Sequence, residues 1–124
     1  SGIKIENIVV CILNRSRHKK LINEVRLTGA RIKLISDGDV SAVIATSIDD
    51  SGIDLYMGTG GSPEGVLAAA ALRCLGGKIY TKLIFDNDES FNRAKKIWLW
   101  RSNLFCIWFL RNWSSWSRAP EKND

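Results

Sequence analysis

The 124 residues suffice for one globular domain, or a piece of a larger one, with a modest core, since 45% of them are hydrophobic. The net charge of +5 is mild and dispersed, which argues against a nucleic-acid-binding surface. No apolar run is long enough for a membrane span. Cys11, Cys74 and Cys106 are too widely spaced for a disulfide framework or a zinc site. This cysteine usage leads us to expect a reducing, cytoplasmic setting.

Apolar runs and helical patterns alternate along the chain. The β-branched run at residues 8–13 predicts a strand buried on both faces. A helix follows from about His18 to Thr28 and ends at Gly29, with Leu21, Ile22, Val25 and, at its end, Leu27 as candidates for its buried side. The later predicted elements are a strand at Arg31–Ile35, a short helix from Asp39, a strand at Ile53–Met57, a helix capped by Ser62 and ended by Gly76, a strand at residues 78–85 and a short helix at residues 88–96.

This alternation predicts an α/β fold with three layers and a mostly parallel sheet. Ligands of such folds normally bind at the carboxyl ends of the strands. Residues 1–96 are predicted to form this domain. Residues 97–124 form a separate tail, because all five tryptophans of the protein fall within it.

Two arginines follow the first predicted strand, in the sequence "NRSRHKK". Guanidinium groups at Arg15 and Arg17 could hold a phosphate through directional, charge-assisted hydrogen bonds. A solvated helix entrance would explain the same charges. We interpret His18 as a surface residue of the helix rather than a catalytic base or a ligand.

The sequence "SDGDV" follows the second predicted strand. Gly38 allows a tight turn between Asp37 and Asp39. The two carboxylates could accept hydrogen bonds from sugar hydroxyls or bind a hard cation. A turn followed by a helix cap would also explain them.

The sequence "MGTGGSPEGV" joins the third predicted strand to an alanine-rich helix. Its glycines allow close approach to the backbone, and a helix start offers unpaired N–H groups to an anion. Glu64 in the first turn complements the helix dipole, but it would repel a phosphate unless a cation lay between them. The functional interpretation is therefore a site in which a metal ion lies between a phosphate and the Glu64 carboxylate.

At their present spacing, the three sequences "NRSRH", "LISDGDV" and "MGTGGSPEGVLAAAALRCLGG" resemble the bacterial class II fructose-1,6-bisphosphatases, within the lithium-sensitive sugar phosphatase superfamily. The resemblance covers about residues 8–96 and implies half of a larger sugar-phosphatase fold. Members of this family use Mn²⁺ or Mg²⁺ to hydrolyse the 1-phosphate of fructose 1,6-bisphosphate in gluconeogenesis. Some also accept sedoheptulose 1,7-bisphosphate.

The resemblance implies roles for residues in all three sequences. Glu64 would be a metal ligand and therefore catalytic. The implied substrate-binding residues are Arg15, Ser16 and Arg17 at a phosphate, Asp37, Gly38 and Asp39 at the sugar, and Gly61 beside the substrate.

The sequence departs from the family in two places. The family's other metal ligands lie in an N-terminal half with an Asp-Pro-x-Asp-Gly stretch, whereas the only prolines here are Pro63 and Pro120, outside any such stretch. We therefore expect a C-terminal fragment that is inactive alone and does not hold the metal tightly. In addition, Asn-Arg-Ser-Arg at residues 14–17 replaces the more usual Asp-Arg-Pro-Arg of the family.

Two other functions remain open. The pattern Gly58-x-Gly60 after a strand is similar to a dinucleotide-binding fingerprint, in which Asp86 would bind the ribose. However, Pro63 stands where the fingerprint has its third glycine, and the charge of Glu64 would repel a pyrophosphate. Alternatively, the tryptophan-rich tail could make the chain a non-enzymatic interaction module that binds a partner or a membrane surface.

The tail itself suggests a change of reading frame. The family resemblance ends at Lys96, after lysine codons rich in adenine, and a tryptophan codon read one base later becomes a glycine codon. With permitted codons, "KIWLWRS" then reads Lys-Tyr-Gly-Tyr-Gly-Asp, which resembles the family's continuation. We interpret residues from about Ile97 as a frameshifted tail, expected to form an appended helix or a homo-oligomer contact and to be removable without unfolding the three loops.

Overall fold

The computed structural model describes residues 2–84, 87–89, 92 and 104–110. Its strands form one open sheet, with three helices packed on it. The strands are β1 at Val9–Leu13, β2 at Arg31–Ile35, β3 at Leu55–Gly60, β4 at Lys78–Ile84 and β5 at Leu104–Leu110, and the helices are α1 at Lys19–Leu27, α2 at Asp39–Ala45 and α3 at Ser62–Leu75.

The strand order across the sheet is β2-β1-β3-β5-β4. β1 pairs in parallel with both β2 and β3. β5 lies antiparallel between β3 and β4, so β4 points in the same direction as β3. The predicted α/β fold with a mostly parallel sheet is confirmed.

Helices cover both faces of the sheet, as the continuous apolar character of β1 requires. On one face, Val10 and Ile12 pack against Ile22 and Val25 of α1. The opposite face of β1 and β3 packs against α2 and α3 through Cys11, Ala42, Val43, Ile53, Tyr56, Ala68 and Leu72. The molecule therefore has the three predicted layers.

Two helix boundaries differ from the predictions. α1 begins at Lys19, because residues 16–18 form a 3-10 turn, and it ends at Leu27, whose side chain is 88% exposed rather than buried. Ser62 is the first helical residue of α3, and the capping position belongs to Gly61. The predicted end of α3 is confirmed, since Gly76 has a φ of 75° and its N–H bonds to the Leu72 carbonyl.

The expected appended helix is wrong for residues 104–110, which form β5 inside the sheet. Their sequence, "LFCIWFL", is a continuous run of apolar residues with aromatic and β-branched members, which suits a buried strand better than an exposed helix. Residues 88, 89 and 92 are helical. The remainder of the helix predicted at 88–96, most of the tail and Asp86 lie outside the described residues.

Within the described residues, no helix is long and apolar enough to cross a bilayer.

Candidate functional site

Three loops leave the carboxyl ends of three neighbouring strands. We call residues 14–18 after β1 the arginine loop, residues 36–39 after β2 the aspartate loop, and residues 58–64 at the end of β3 the glycine loop. Because β1 lies between β2 and β3 and all three run in parallel, the loops meet at one edge of the sheet. This is where ligands bind in open α/β sheets.

The arginine loop is exposed at Arg15, Ser16 and Arg17. Arg15 donates from Nη1 to the carbonyl oxygen of Asn14, at 3.3 Å, and so stays within its own loop. Arg17 donates from Nε to the carbonyl oxygen of Thr59, at 2.9 Å. This bond joins the arginine loop to the glycine loop.

The aspartate loop turns through Gly38, whose φ of 79° is in the left-handed region that favours glycine. Asp37 is exposed, and its Oδ1 accepts the N–H of Gly38 at 2.8 Å. Asp39 is half-buried at the start of α2, where its Oδ1 accepts the N–H of Val40 at 2.9 Å. The turn predicted at Gly38 is confirmed, and both carboxylates lie beside backbone N–H groups.

In the glycine loop, the carboxylate of Glu64 lies over Gly61. A Cβ built on Gly61 would be 2.6 Å from Oε2 of Glu64, closer than any real contact of that kind. Gly61 itself has extended backbone angles that any residue can adopt. This glycine is therefore needed for the space it leaves to Glu64 and not for its backbone conformation.

The aspartate and glycine loops share a cleft. Asp39 and Glu64 both line it, on opposite helices. Tyr56, Val40, Val43 and Ala68 complete its lining. The structure thus places Asp39 and Glu64, which are far apart in the sequence, beside one cleft.

Tyr56 was missed by the sequence analysis. Its side chain is buried, and burial raises the pKa of its hydroxyl far above the ordinary range, with the negative charge of Asp39 as the next cause and the positive charge of Arg17 acting against them. The hydroxyl therefore stays protonated and can donate a hydrogen bond. It interacts electrostatically with residues from two of the loops.

His18 is buried, at 1% exposure, and the expectation of a surface position is wrong. The 3-10 turn before α1 directs its ring inward, where Nδ1 lies 2.7 Å from the Leu13 carbonyl oxygen and Nε2 lies 2.9 Å from the Thr59 nitrogen. Exposed residues flank His18 on both sides. Helical periodicity could not reveal its burial, because the turn that causes it precedes the helix.

The described residues contain no complete cation site. Oxygen ligands suit Mg²⁺ and Mn²⁺, and Asp39 and Glu64 are among the residues that line one cleft. In the described part of the chain, however, no group of three His, Cys, Asp or Glu residues could hold a metal ion. A hard cation here would need further ligands.

Comparisons with known proteins agree with the resemblance noted in the sequence. Residues 1–105 match the family model described as bacterial fructose-1,6-bisphosphatase, glpX-encoded, so the match continues past Lys96. The chain is also similar to proteins named D-fructose 1,6-bisphosphatase class 2/sedoheptulose 1,7-bisphosphatase. These include the proteins of Gloeobacter violaceus, at 51% identity over 84 residues, and of Microcystis aeruginosa and Synechocystis sp., each at 54% identity over 84 residues.

Each of these alignments covers 68% of the chain and 24% of the relative. The chain thus spans about a quarter of the length of the curated relatives that it matches.

Proposed function

Because the chain belongs to the bacterial fructose-1,6-bisphosphatase family, we propose that it is the substrate-side part of a metal-dependent fructose-1,6-bisphosphatase. The observation that carries this proposal is the meeting of three polar loops at one sheet edge, where Arg17 bonds to Thr59 and Asp39 shares a cleft with Glu64. The guanidinium of Arg17 and the side chains of Asp39 and Glu64 then lie around one site.

The proposed roles divide the site between phosphate and sugar. Arg17 is fixed to the glycine loop through Nε, which leaves its two terminal nitrogens to grip a phosphate. Asp39 is half-buried in the cleft and accepts hydrogen bonds from sugar hydroxyls. The proposed substrate contacts are Arg15, Ser16 and Arg17 at a phosphate, Asp37, Gly38 and Asp39 at the sugar, and Gly61 beside the substrate.

Glu64 is the proposed metal ligand of this chain. A bound Mn²⁺ or Mg²⁺ would supply charge neutralisation at the phosphoryl group and activation of the attacking water. Glu64 would orient it from the first turn of α3, and Gly61 leaves room for that carboxylate. We propose that the other ligands belong to the part of the enzyme that this chain does not cover, and that the chain alone is inactive.

The outer face of α3 supports a role as part of a larger protein. Val66 and Leu67 are 47% and 62% exposed, and Ala70 and Cys74 are exposed on later turns. A helix that is apolar on all sides is typical of a buried position. We propose that the remainder of the enzyme covers this face and completes the metal site at the start of the same helix.

The proposed substrates are fructose 1,6-bisphosphate and sedoheptulose 1,7-bisphosphate, and the proposed compartment is the cytoplasm, where gluconeogenesis takes place. The family match favours this function over the nucleotide-binding and interaction modules considered above. No observation on the described residues supports either of those alternatives.

A binding titration tests the proposal. The chain labelled with ¹⁵N is titrated with fructose 1,6-bisphosphate, and we expect resonances of all three loops to shift. Arg17→Ala should abolish the shifts in the arginine loop. Arg26→Ala, which changes an exposed arginine on α1, is the matched control and should bind like the parent chain. Absence of shifts with the bisphosphate, or equal shifts with unphosphorylated fructose, would contradict the proposal.

A further inference from the structure

His18 connects the arginine loop to the glycine loop through both of its ring nitrogens. Its side chain is almost fully buried, at 1% exposure. Nδ1 lies 2.7 Å from the carbonyl oxygen of Leu13, the last residue of β1, and Nε2 lies 2.9 Å from the backbone nitrogen of Thr59 in the glycine loop. The ring therefore joins the ends of two neighbouring strands.

The two partners select one form of the ring. The Leu13 carbonyl oxygen only accepts, so Nδ1 must carry a hydrogen. The Thr59 N–H only donates, so Nε2 must present its lone pair. The hydrogen-bond partners therefore assign His18 as the neutral Nδ1–H tautomer. A hydrogen on Nε2 would face the Thr59 N–H and break that bond.

Thr59 is held from both sides of its backbone. Its N–H donates to His18, and its carbonyl oxygen, which lies 3.2 Å from Nε2, accepts from Nε of Arg17 at 2.9 Å. In this tautomer the ring offers no hydrogen to that carbonyl, so Arg17 is its donor. Because Arg17 donates to the Thr59 carbonyl oxygen, a movement of Thr59 relative to His18 would also move the Arg17 guanidinium.

Gly58 lies beside the rings of His18 and Tyr56. A Cβ on Gly58 would lie 3.4 Å from Cε1 of His18 and 3.2 Å from the hydroxyl of Tyr56. The second distance is tighter than nearly all real Cβ contacts. A side chain at position 58 would therefore be limited mainly by Tyr56, whereas the ring of His18 is at ordinary van der Waals distance.

We propose that His18 is a positioning residue that fixes the orientation of Arg17 toward the phosphate, acting through Thr59 as the neutral Nδ1–H tautomer. The phosphate part of this inference rests on the proposed function. The geometric part, in which His18 holds Thr59 and Thr59 holds Arg17, can be tested without a ligand.

The first test examines the ring in the ligand-free, full-length chain. At about pH 8, ¹⁵N spectra should show Nδ1 of His18 at the chemical shift of a protonated ring nitrogen and Nε2 at that of an unprotonated one. The opposite tautomer or a doubly protonated ring would overturn the inference.

Two substitutions separate the two hydrogen bonds of the ring. His18→Asn places an amide nitrogen near the position of Nδ1 but cannot reach Thr59, whereas His18→Gln places a carbonyl oxygen near the position of Nε2. We expect the Thr59 amide and Arg17 Nε–H resonances to move in His18→Asn and to stay near their parent positions in His18→Gln. Equal changes in both variants would indicate a packing role only and would overturn the inference.

The consequence for binding is measured with fructose 1,6-bisphosphate. His18→Asn should weaken binding by about tenfold, as expected for the loss of an oriented, charge-assisted contact, and His18→Gln by less than about threefold. If both variants lose affinity in proportion to their loss of stability, the positioning role is wrong. If the parent chain binds no bisphosphate, the proposed function fails, and the ligand-free resonances still decide whether His18 positions Arg17.

Discussion

At the scale of single residues, the position of the Glu64 carboxylate depends on the missing side chain of Gly61. Gly61→Ala introduces a methyl group 2.6 Å from Oε2 of Glu64 without straining the backbone. The carboxylate of Glu64, which is the proposed metal ligand, must therefore move away from this position. Gly60→Ala is the matched control, because a Cβ there meets no atom within 4 Å.

The activity of a chimera measures this effect. In the chimera, the matching 84-residue segment of the Synechocystis relative is replaced by that of this chain. We expect Gly61→Ala to lower turnover by about tenfold, as a displaced catalytic group should, and Gly60→Ala to leave it within about twofold. Equal losses in the two variants would show that the glycine loop, and not Glu64, is the sensitive element.

Glu64 and Arg17 should affect different kinetic parameters of the same chimera. Glu64→Ala removes a ligand that stabilises transition-state charge, so kcat should fall by about a hundredfold or more. Arg17→Ala removes a phosphate contact present in both the ground and transition states, so KM should rise by about tenfold with a smaller change in kcat. Steady-state kinetics distinguish the two effects. Similar changes of both parameters in both variants would mean that the roles are assigned wrongly.

The buried hydroxyl of Tyr56 predicts a loss of stability at high pH. Its pKa in the folded chain is raised above the ordinary value of 10.0, so above that pH the unfolded chain loses a proton that the folded chain keeps. The free energy of unfolding therefore falls as the pH rises, with a slope that approaches about 1.4 kcal/mol per pH unit for one proton.

Urea unfolding from about pH 8 to about pH 11 measures this slope. Tyr56→Phe should reduce the decline in the free energy of unfolding, because the variant has no hydroxyl to titrate. Tyr80→Phe, at a side chain that is 52% exposed, is the control and should decline like the parent. An equally steep decline in Tyr56→Phe would contradict the prediction.

The sequence indicated the charged residues of the candidate site, whose roles stay predictions, but it did not indicate His18 and Tyr56, which lie among them. Asp37, Asp39 and Glu64 stand beside glycines at the ends of apolar runs, which is a local signal. His18 and Tyr56 act through partners in other elements, at Leu13, Thr59 and Asp39, and these contacts exist only once the sheet is formed. No local pattern distinguishes such a residue from an ordinary surface or core residue.

At the scale of secondary-structure elements, part of the tail forms β5 and belongs to the sheet. β3 pairs with β5 from Leu55 to Gly60, and the neighbour of β4 in the sheet is also β5. The two apolar clusters, as far as the described side chains define them, contain residues before position 80. β1 pairs with β2 and β3 and not with β5, so removing the tail takes no strand neighbour from β1, whereas β4 loses its neighbour in the sheet.

Deleting residues 97–124 should therefore leave the central core folded and release β4. Hydrogen exchange is expected to show protected amides in β1 and α1, together with a loss of protection in β4. The His18 ring resonances are expected to shift, because Thr59, the partner of Nε2, pairs with Cys106 of β5 and loses that neighbour. Loss of protection in β1 would show that the tail is an essential part of this fold.

The position of β5 in the sheet does not decide the origin of its sequence. Strand pairing uses backbone groups that every residue except proline provides, so a frameshifted apolar segment could pair as well as an inherited one. The frameshift hypothesis stays a prediction. It requires that the DNA after Lys96, read one base later, encode further family-like sequence, and it is wrong if no such sequence is found.

Element types and order were predictable from the sequence, because apolar runs of β-branched residues and a helix ended by glycine are strong local signals. The position of β5 was not predictable. A run such as "LFCIWFL" is compatible with a strand or an interfacial helix, and only the available edges of β3 and β4 select the strand. The Gly61 cap of α3 likewise depends on how the glycine loop leaves β3.

At the scale of the whole molecule, the described residues contain the loops of the proposed substrate site without a complete group of metal ligands. Asp39 and Glu64 line one cleft, but the described residues provide no group of three metal-ligating side chains. Phosphoryl transfer depends on positioning and charge neutralisation by the cation. We therefore expect this chain to bind the substrate without catalysing its hydrolysis.

The most direct test of this account is phosphate release from fructose 1,6-bisphosphate in the presence of Mn²⁺, measured for the purified chain and for the chimera. We predict no release above background by the chain, release by the chimera, and its loss in the chimera carrying Glu64→Ala. Release by the chain alone that disappears in its own Glu64→Ala variant would contradict the account, because a complete catalytic site would then lie within these 124 residues.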